Sequence, residues 1–129
     1  MRRYFLPIFL AFSLVAMAQT PEKEPSVEEL AAKEAERLEN LLNLEAWQVF
    51  YVDSTLQHDY KALQEELRDM QQAKVENYDL YMIVRDKWAE RIDSSYHRFF
   101  SEQQWTKYMK SGAARAKKAR DKRKAKAGK

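Results

Sequence analysis

The residue types that carry acid–base, metal and nucleophilic chemistry are sparse in this chain. Its 129 residues include two histidines and no cysteine, which excludes disulfides, cysteine-ligated zinc, iron–sulfur clusters and cysteine nucleophiles. Asp93 and His97 lie one helical turn apart, so both side chains can reach one ion, and His58 is followed by Asp59. Neither pair has a recognised zinc spacing. We therefore predict that the chain is not an enzyme and has no catalytic residue, metal site or cofactor.

The positions of glycine, proline and apolar residues set the fold class. Gly112 and Gly128 are the whole glycine content, so a glycine-rich phosphate loop cannot form. Three prolines and two glycines leave little turn material for a many-stranded sheet. Apolar residues recur instead every three or four positions, as in amphipathic helices. We predict an all-α chain of three to four helices that forms a long antiparallel hairpin, dimerises, and continues into a helical or disordered basic tail.

The first 18 residues have the three parts of a secretory signal peptide. A positive start at 1–3 precedes the apolar run 4–17, and Ala16-Met17-Ala18 has the A-x-A cleavage pattern. The run is shorter than the roughly 20 residues that span a bilayer, so a membrane anchor is the weaker alternative. We expect cleavage after Ala18. Exported animal domains of this size usually carry disulfides, and this chain has no cysteine, so we expect a bacterial envelope protein with a periplasmic location.

The remaining chain divides into three zones of different composition. Residues 19–43 form an acidic N-terminal arm, with seven Asp and Glu against three Lys and Arg. Residues 44–109 hold the twelve aromatic residues that follow Ala18, and form the predicted helical core. Residues 110–129 form a tail of Lys, Arg and Ala with a single acid, Asp121.

Helix starts and apolar spacing predict the individual elements. Ser26 and Glu29 form a capping-box pattern before a first helix over 27–42. A second helix is predicted over 44–73, although the aromatic and β-branched run 47–52 is also compatible with a strand. Asn77 is the expected N-cap of a third helix over 78–99.

The clearest helix start is the segment Phe100-Ser101-Glu102-Gln103-Gln104. The Ser101 hydroxyl can accept from the third helical N–H, while Gln104 reaches back to the N-cap N–H; flanking Phe100 and Trp105 can form a hydrophobic staple. A weaker echo, Leu44-Glu45-Ala46-Trp47-Gln48, lies 56 positions upstream and has Glu at the cap. The residues that we expect to fix the two helix starts are Leu44, Gln48, Phe100, Ser101 and Gln104.

These two segments resemble the LTxxQ motif that typifies the Spy/CpxP family of periplasmic proteins. In the second segment Phe replaces Leu and Ser replaces Thr, and in the first Glu replaces Thr. The resemblance covers roughly residues 40–110 and implies a long-helix hairpin that dimerises into a shallow concave cradle. It also implies a role: Spy-like members bind unfolded clients without ATP, CpxP-like members restrain an envelope-stress sensor, and some relatives bind metal ions.

The aromatic residues of 44–109 exceed the needs of a small core. Twelve aromatics in 66 residues suggest a second apolar surface for a client or partner. The residues that we assign to this surface are Trp47, Phe50, Tyr51, Tyr81, Trp88 and Tyr96. A core of this size is marginal without disulfides, so we expect a homodimer.

The basic tail Lys110–Lys129 has three open interpretations. It is a solvated extension, it pairs with the acidic arm within one chain or across a dimer, or it contacts an anionic envelope surface. Export and the lack of aromatic residues argue against a nucleic-acid partner.

The favoured function is an exported, periplasmic, Spy/CpxP-like binding protein. It would act on unfolded or envelope proteins as an ATP-independent chaperone or an envelope-stress adaptor. One alternative is a structural or interaction protein of the envelope that its basic tail tethers electrostatically. Another is metal storage or sensing through His58 and His97.

Overall fold

The computed structural model describes residues 24–128, and its regular elements there are all helical. They are α1 (Val27–Leu42), α2 (Ala46–Gln72), α3 (Tyr78–Phe99), α4 (Glu102–Tyr108) and α5 (Ala114–Ala127), with a π-helical turn, Met109–Ala113, between α4 and α5. The predicted all-α class is confirmed, with about four helices when α4 and α5 count as one kinked helix. The signal peptide predicted for 1–18 lies outside the described residues. No helix within 24–128 is long and apolar enough to cross a membrane.

The helix boundaries follow from the capping residues that the sequence shows. The Ser26 hydroxyl accepts from the backbone N–H of Glu29 at 3.1 Å and begins α1. Asn43 ends α1 in the left-handed conformation, with φ 54°, which asparagine tolerates better than most residues. The Asn77 side chain accepts from the N–H of Asp79 at 2.9 Å and begins α3. The strand alternative for 47–52 is wrong, because this run lies inside α2.

The helices α2 and α3 form the predicted antiparallel hairpin. Near the end of α2, Glu66 accepts from Lys87 Nζ at 2.7 Å and from Trp88 Nε1 at 2.9 Å, both on α3. At the opposite end, Gln48 at the start of α2 donates to the carbonyl of Phe99, the last residue of α3. The short connection 43–45 folds α1 back along α2, so three helices pack side by side.

The core lies where α1 meets the hairpin, and it includes part of the acidic arm. Small and branched side chains spaced by three or four along α1 are buried: Ala31, Ala35, Leu38 and Leu42. They face Val52 and Leu56 of α2, and Tyr96 and Phe100 close the cluster. Full burial of each large side chain stabilises the fold by about 1.5–3 kcal/mol. The predicted division after residue 43 therefore does not separate α1 from the core.

The basic tail is helical and folds back onto α3. Arg120 of α5 is 7% exposed, and its Nη2 donates to Asp93 Oδ2 at 2.7 Å. The other Asp93 oxygen accepts from the Tyr108 hydroxyl at 2.6 Å. The acidic arm is one expected partner of the tail, but among the described residues the ion pairs that residues 110–128 make to another helix run to α3.

The burial of the Arg120–Asp93 pair makes it sensitive to the loss of one partner. We expect Arg120→Ala to lower the free energy of unfolding by about 3 kcal/mol, because Asp93 keeps its charge but loses its cation. Arg115→Ala, on the exposed side of the same helix, should change it by less than about 0.5 kcal/mol. Urea denaturation followed by circular dichroism measures both values. Equal small effects would show that α5 does not pack on α3 in solution.

The Glu66 contacts make the hairpin sensitive to acid. Hydrogen bonds from Lys87 and then Trp88 lower the pKa of Glu66 below its ordinary value. A carboxylate with a lowered folded-state pKa contributes stability above its unfolded pKa, and this contribution is lost as the pH falls through the folded-state pKa.

We therefore expect Glu66→Gln to remove part of the loss of stability below about pH 4.5. Glutamine carries no charge at any pH, so the variant should be less stable than the native chain at neutral pH. This difference in stability, which we call the gap, should become smaller in acid. Thermal unfolding at a series of pH values measures the gap, with Glu65→Gln on the exposed neighbour as the matched control. A gap that stays constant with pH would contradict the assignment.

Candidate functional site

The two motif segments, 56 positions apart in the chain, meet in space. Gln48 at the third position of α2 and Gln104 at the third position of α4 exchange hydrogen bonds through their side-chain amides. Gln48 Nε2 donates to Gln104 Oε1 at 2.6 Å, and Gln104 Nε2 donates to Gln48 Oε1 at 3.1 Å. We call this pair the glutamine junction.

Each glutamine of the junction also caps its own helix. Gln48 Oε1 accepts from the backbone N–H of Glu45 at 2.9 Å, and Gln104 Oε1 accepts from that of Ser101 at 2.8 Å. The Ser101 hydroxyl accepts in turn from the N–H of Gln104 at 3.1 Å, which completes the predicted box. Gln48 Nε2 further donates to the Phe99 carbonyl at 2.9 Å. The amide oxygens and nitrogens of the junction are thus hydrogen-bonded, as burial of polar groups demands.

The junction therefore fixes three chain segments at once, namely the start of α2, the end of α3 and the start of α4. Leu44 and Phe100, the apolar residues that precede the two caps, are each 7% exposed and belong to the core. Sequence reasoning chose all of these motif residues but missed their direct pairing. The available signal was that both segments place a glutamine at the same position of a helix start.

An aromatic surface lies beside the junction on α2. Trp47, Phe50 and Tyr51 are 48%, 66% and 51% exposed, respectively, and we call them the aromatic patch. Their rings meet edge to face, with centroids 5.8 Å apart for Trp47–Tyr51 and 6.0 Å for Phe50–Tyr51. The carboxylate of Glu45 accepts from Trp47 Nε1 at 2.6 Å and orients the indole. Side chains of this size are costly to leave in water.

An open groove of about 710 Å³ separates the patch from the end of α3. Trp47 and Tyr51 line one side, Arg98 and Phe99 line the other, and the glutamine junction lies among its walls. The Tyr51 and Phe99 rings approach to 5.8 Å between centroids. The groove thus offers aromatic faces, one guanidinium and amide groups, a combination suited to holding apolar and aromatic side chains.

The other residues assigned to the partner surface lie elsewhere and are less accessible. Tyr96 is 1% exposed and stacks on Phe100 at 5.0 Å in the core, so its assignment to the surface is corrected. Burial raises its pKa well above the ordinary range. Trp88 is 9% exposed because its ring packs at the α2–α3 contact, with Arg91 over its face at 4.9 Å, so it too is removed from the surface. Tyr81 is half-buried, and its hydroxyl donates to the carbonyl of Val75.

The histidine and aspartate pairs considered for chemistry are held by other contacts. Both oxygens of Asp93 bind Tyr108 and Arg120, and the His97 ring stacks on Trp105 with centroids 4.1 Å apart. Burial, followed by the Asp93 hydrogen bond, raises the pKa of Tyr108 well above its ordinary range, so this phenol stays a donor. His58 is exposed beside Asp59. Residues 24–128 contain no cluster of three or more side chains able to hold a metal ion.

Comparison of the chain with protein-family models, with curated proteins and with solved structures finds no match. The resemblance to the Spy/CpxP family therefore rests on the two motif segments alone.

The glutamine junction predicts strong coupling between two distant positions. Gln48→Ala or Gln104→Ala breaks both amide–amide bonds and leaves a helix-start N–H without its side-chain acceptor, which costs about 1–3 kcal/mol of unfolding free energy. The double variant should lose less than the sum, with a coupling of about 0.5–3 kcal/mol, because each single change already breaks the shared bonds.

Urea denaturation of the four proteins of the double-mutant cycle measures this coupling. A second cycle with the exposed neighbour Gln103→Ala in place of Gln104→Ala is the control and should give additive effects. Additive effects in the first cycle as well would mean that the two amides do not pair in solution.

Proposed function

We propose that this chain is an exported helical binding protein that holds apolar segments of unfolded or envelope proteins without consuming ATP. The observation that carries the proposal is the aromatic patch: three large aromatic side chains lie next to one another, each between 48% and 66% exposed. Aromatic residues of this kind dominate the binding energy of protein interfaces, in particular Trp and Tyr. The patch therefore supplies the affinity that an apolar client segment needs.

The framework beneath the patch supports the same proposal. Gln48 follows Trp47 in α2, and its buried side chain is hydrogen-bonded to the end of α3 and to α4. The patch is thereby held on a rigid surface, which reduces the entropy lost on binding. The open shape of the groove accepts varied sequences, as a protein with many clients requires. The Spy/CpxP resemblance of the two helix starts points to the same class, either as a chaperone or as an envelope-stress adaptor.

The absence of phosphate-binding sequence supports action without nucleotide. The two glycines of the chain cannot build a glycine-rich loop around a triphosphate. Binding and release of clients would then follow from affinity alone. The periplasmic location belongs to the proposal and rests on the composition of residues 1–18, and the homodimer rests on the small size of the core.

A second candidate function is electrostatic tethering to an anionic envelope surface. It is favoured by a basic face of α5 on which Arg115, Lys118 and Lys122 are exposed, while Arg120 and Arg123 bind α3. Such tethering weakens as salt screens the charges. Apolar binding by the aromatic patch persists in salt, which separates the two functions.

The patch makes a quantitative prediction for client binding. We expect Trp47→Ala to weaken binding of a labelled, permanently unfolded model protein at least about fivefold, since a central aromatic contact is worth more than 1 kcal/mol. Phe50→Ala should have a similar effect. Fluorescence anisotropy without ATP measures the dissociation constant, and suppression of client aggregation should fall in parallel.

The matched control is Tyr78→Ala, which removes an aromatic ring that is 71% exposed but lies at the start of α3. It should leave client binding unchanged. Equal losses in the control and in the patch variants would point to nonspecific adsorption. Binding that collapses as salt rises would favour the tethering function instead.

A further inference from the structure

The contact between α5 and α3 is made of charge rather than of apolar surface. Arg123 forms a forked pair with Asp86, with Nε–Oδ2 at 2.7 Å and Nη2–Oδ1 at 2.9 Å. Lys117 lies 3.8 Å from Glu90, and Arg120 binds Asp93. The largest apolar side chain in α5 is alanine, so little hydrophobic burial holds this helix in place.

The acids that receive α5 form one stripe along α3. Asp86, Glu90 and Asp93 are spaced by four and three residues, which places them on the same face of the helix. Arg120 pairs with Asp93, while Arg123, one turn later in α5, pairs with Asp86, two turns earlier in α3, so the two helices run antiparallel. We call these three residues the acidic stripe. It is a docking surface for a basic helix, and in this chain the occupant is the chain's own C-terminal helix.

A single residue determines that α5 returns to its own stripe. Gly112, inside the π-helical turn, has φ 124° and ψ −16°, while its neighbours in α4 and α5 are helical. A Cβ at this position would meet nothing within 4 Å, so packing does not demand glycine. The backbone conformation does, because other residues rarely adopt such a φ. If Gly112 took helical angles, α4 and α5 would form one straight helix.

We propose that α5 exchanges between two copies of this chain, so that each copy docks its α5 on the acidic stripe of the other. The exchange keeps the same ion pairs and changes the backbone at one hinge, which is the usual basis of domain swapping. The Lys-, Arg- and Ala-rich sequence of α5 favours the straight helix that the exchanged form requires. The proposal is independent of client binding by the aromatic patch.

A second copy is the occupant that the charges specify. Straightening at Gly112 withdraws Arg120 and Arg123 from Asp93 and Asp86, so each opened chain presents both a free basic helix and a free acidic stripe. Two such chains satisfy each other reciprocally, which gives a closed two-fold dimer rather than an open filament.

Paired charge reversals test the exchange directly. The stripe variant carries Asp86→Lys and Glu90→Lys, and the tail variant carries Lys117→Glu and Arg123→Glu, while the buried Arg120–Asp93 pair is left intact. Within either variant, like charges now face each other. Mixed together, the tail of each variant complements the stripe of the other, so sedimentation should show a species of twice the chain mass in the mixture and neither variant alone should form it. The single chain with all four changes restores the 117–90 and 123–86 pairs internally, loses the 3.6 Å Arg120–Glu90 contact, and should resemble the native protein.

Gly112→Ala provides an independent test that leaves every charge in place. Alanine disfavours the positive φ of the folded-back form, so we expect the dimer association constant to rise at least about tenfold. Ser111→Ala, a helix-favouring change without a positive φ, should leave it unchanged. A mixture that dimerises no more than either variant alone overturns the proposal, as does a Gly112→Ala protein that stays monomeric. If circular dichroism shows that a charge variant has lost its helices, the comparison of Gly112→Ala with Ser111→Ala decides alone.

Discussion

The reciprocal amide pair of Gln48 and Gln104 is the interaction on which the arrangement of the helices depends. Amide side chains are among the few groups that donate and accept at once, so each glutamine satisfies its own helix start and its partner together. The junction places α4 so that Tyr108 reaches the Tyr96 and Phe100 rings. An apolar residue at either position would leave a helix-start N–H unsatisfied next to the core.

Tyr108 connects the aromatic core to the basic tail. Its hydroxyl binds Asp93, whose second oxygen binds Arg120. A buried carboxylate is tolerated where its hydrogen bonds are made and its charge is paired. The order of contacts therefore runs from the amide junction to the aromatic core, from the core to Asp93, and from Asp93 to α5. The basic tail is held at the end of this sequence, where the contacts are the most exposed.

Local signals in the sequence predicted the helices well, because caps and apolar spacing act over a few residues. Ser26, Asn77 and Ser101 each begin the helix expected of them. The burial of α1 is harder to predict from the sequence. Ala31 and Ala35 line the close contact with α2, but alanine has a hydropathy that does not mark a position as buried. Leu30, although it is more apolar than either alanine, is 40% exposed. Small residues mark a helix contact through the space they leave, which composition does not show.

Contacts between segments that are distant in the chain could not be predicted from the spacing of apolar residues. Asp86, Glu90 and Asp93 of α3 are partners of the basic tail, whose three interpretations the sequence leaves open. Both faces are polar, so neither interrupts an apolar pattern, and the pairing depends on the turn at Gly112.

The burial of the aromatic residues also depends on contacts between distant segments. Tyr96 and Phe50 are both aromatic residues of long helices, but Tyr96 faces the core and Phe50 faces solvent. The reason is that three helices packed around one core leave the outer side of α2 uncovered. The excess of aromatic residues is thus concentrated in Trp47, Phe50 and Tyr51, where the amide junction holds the helix that presents them.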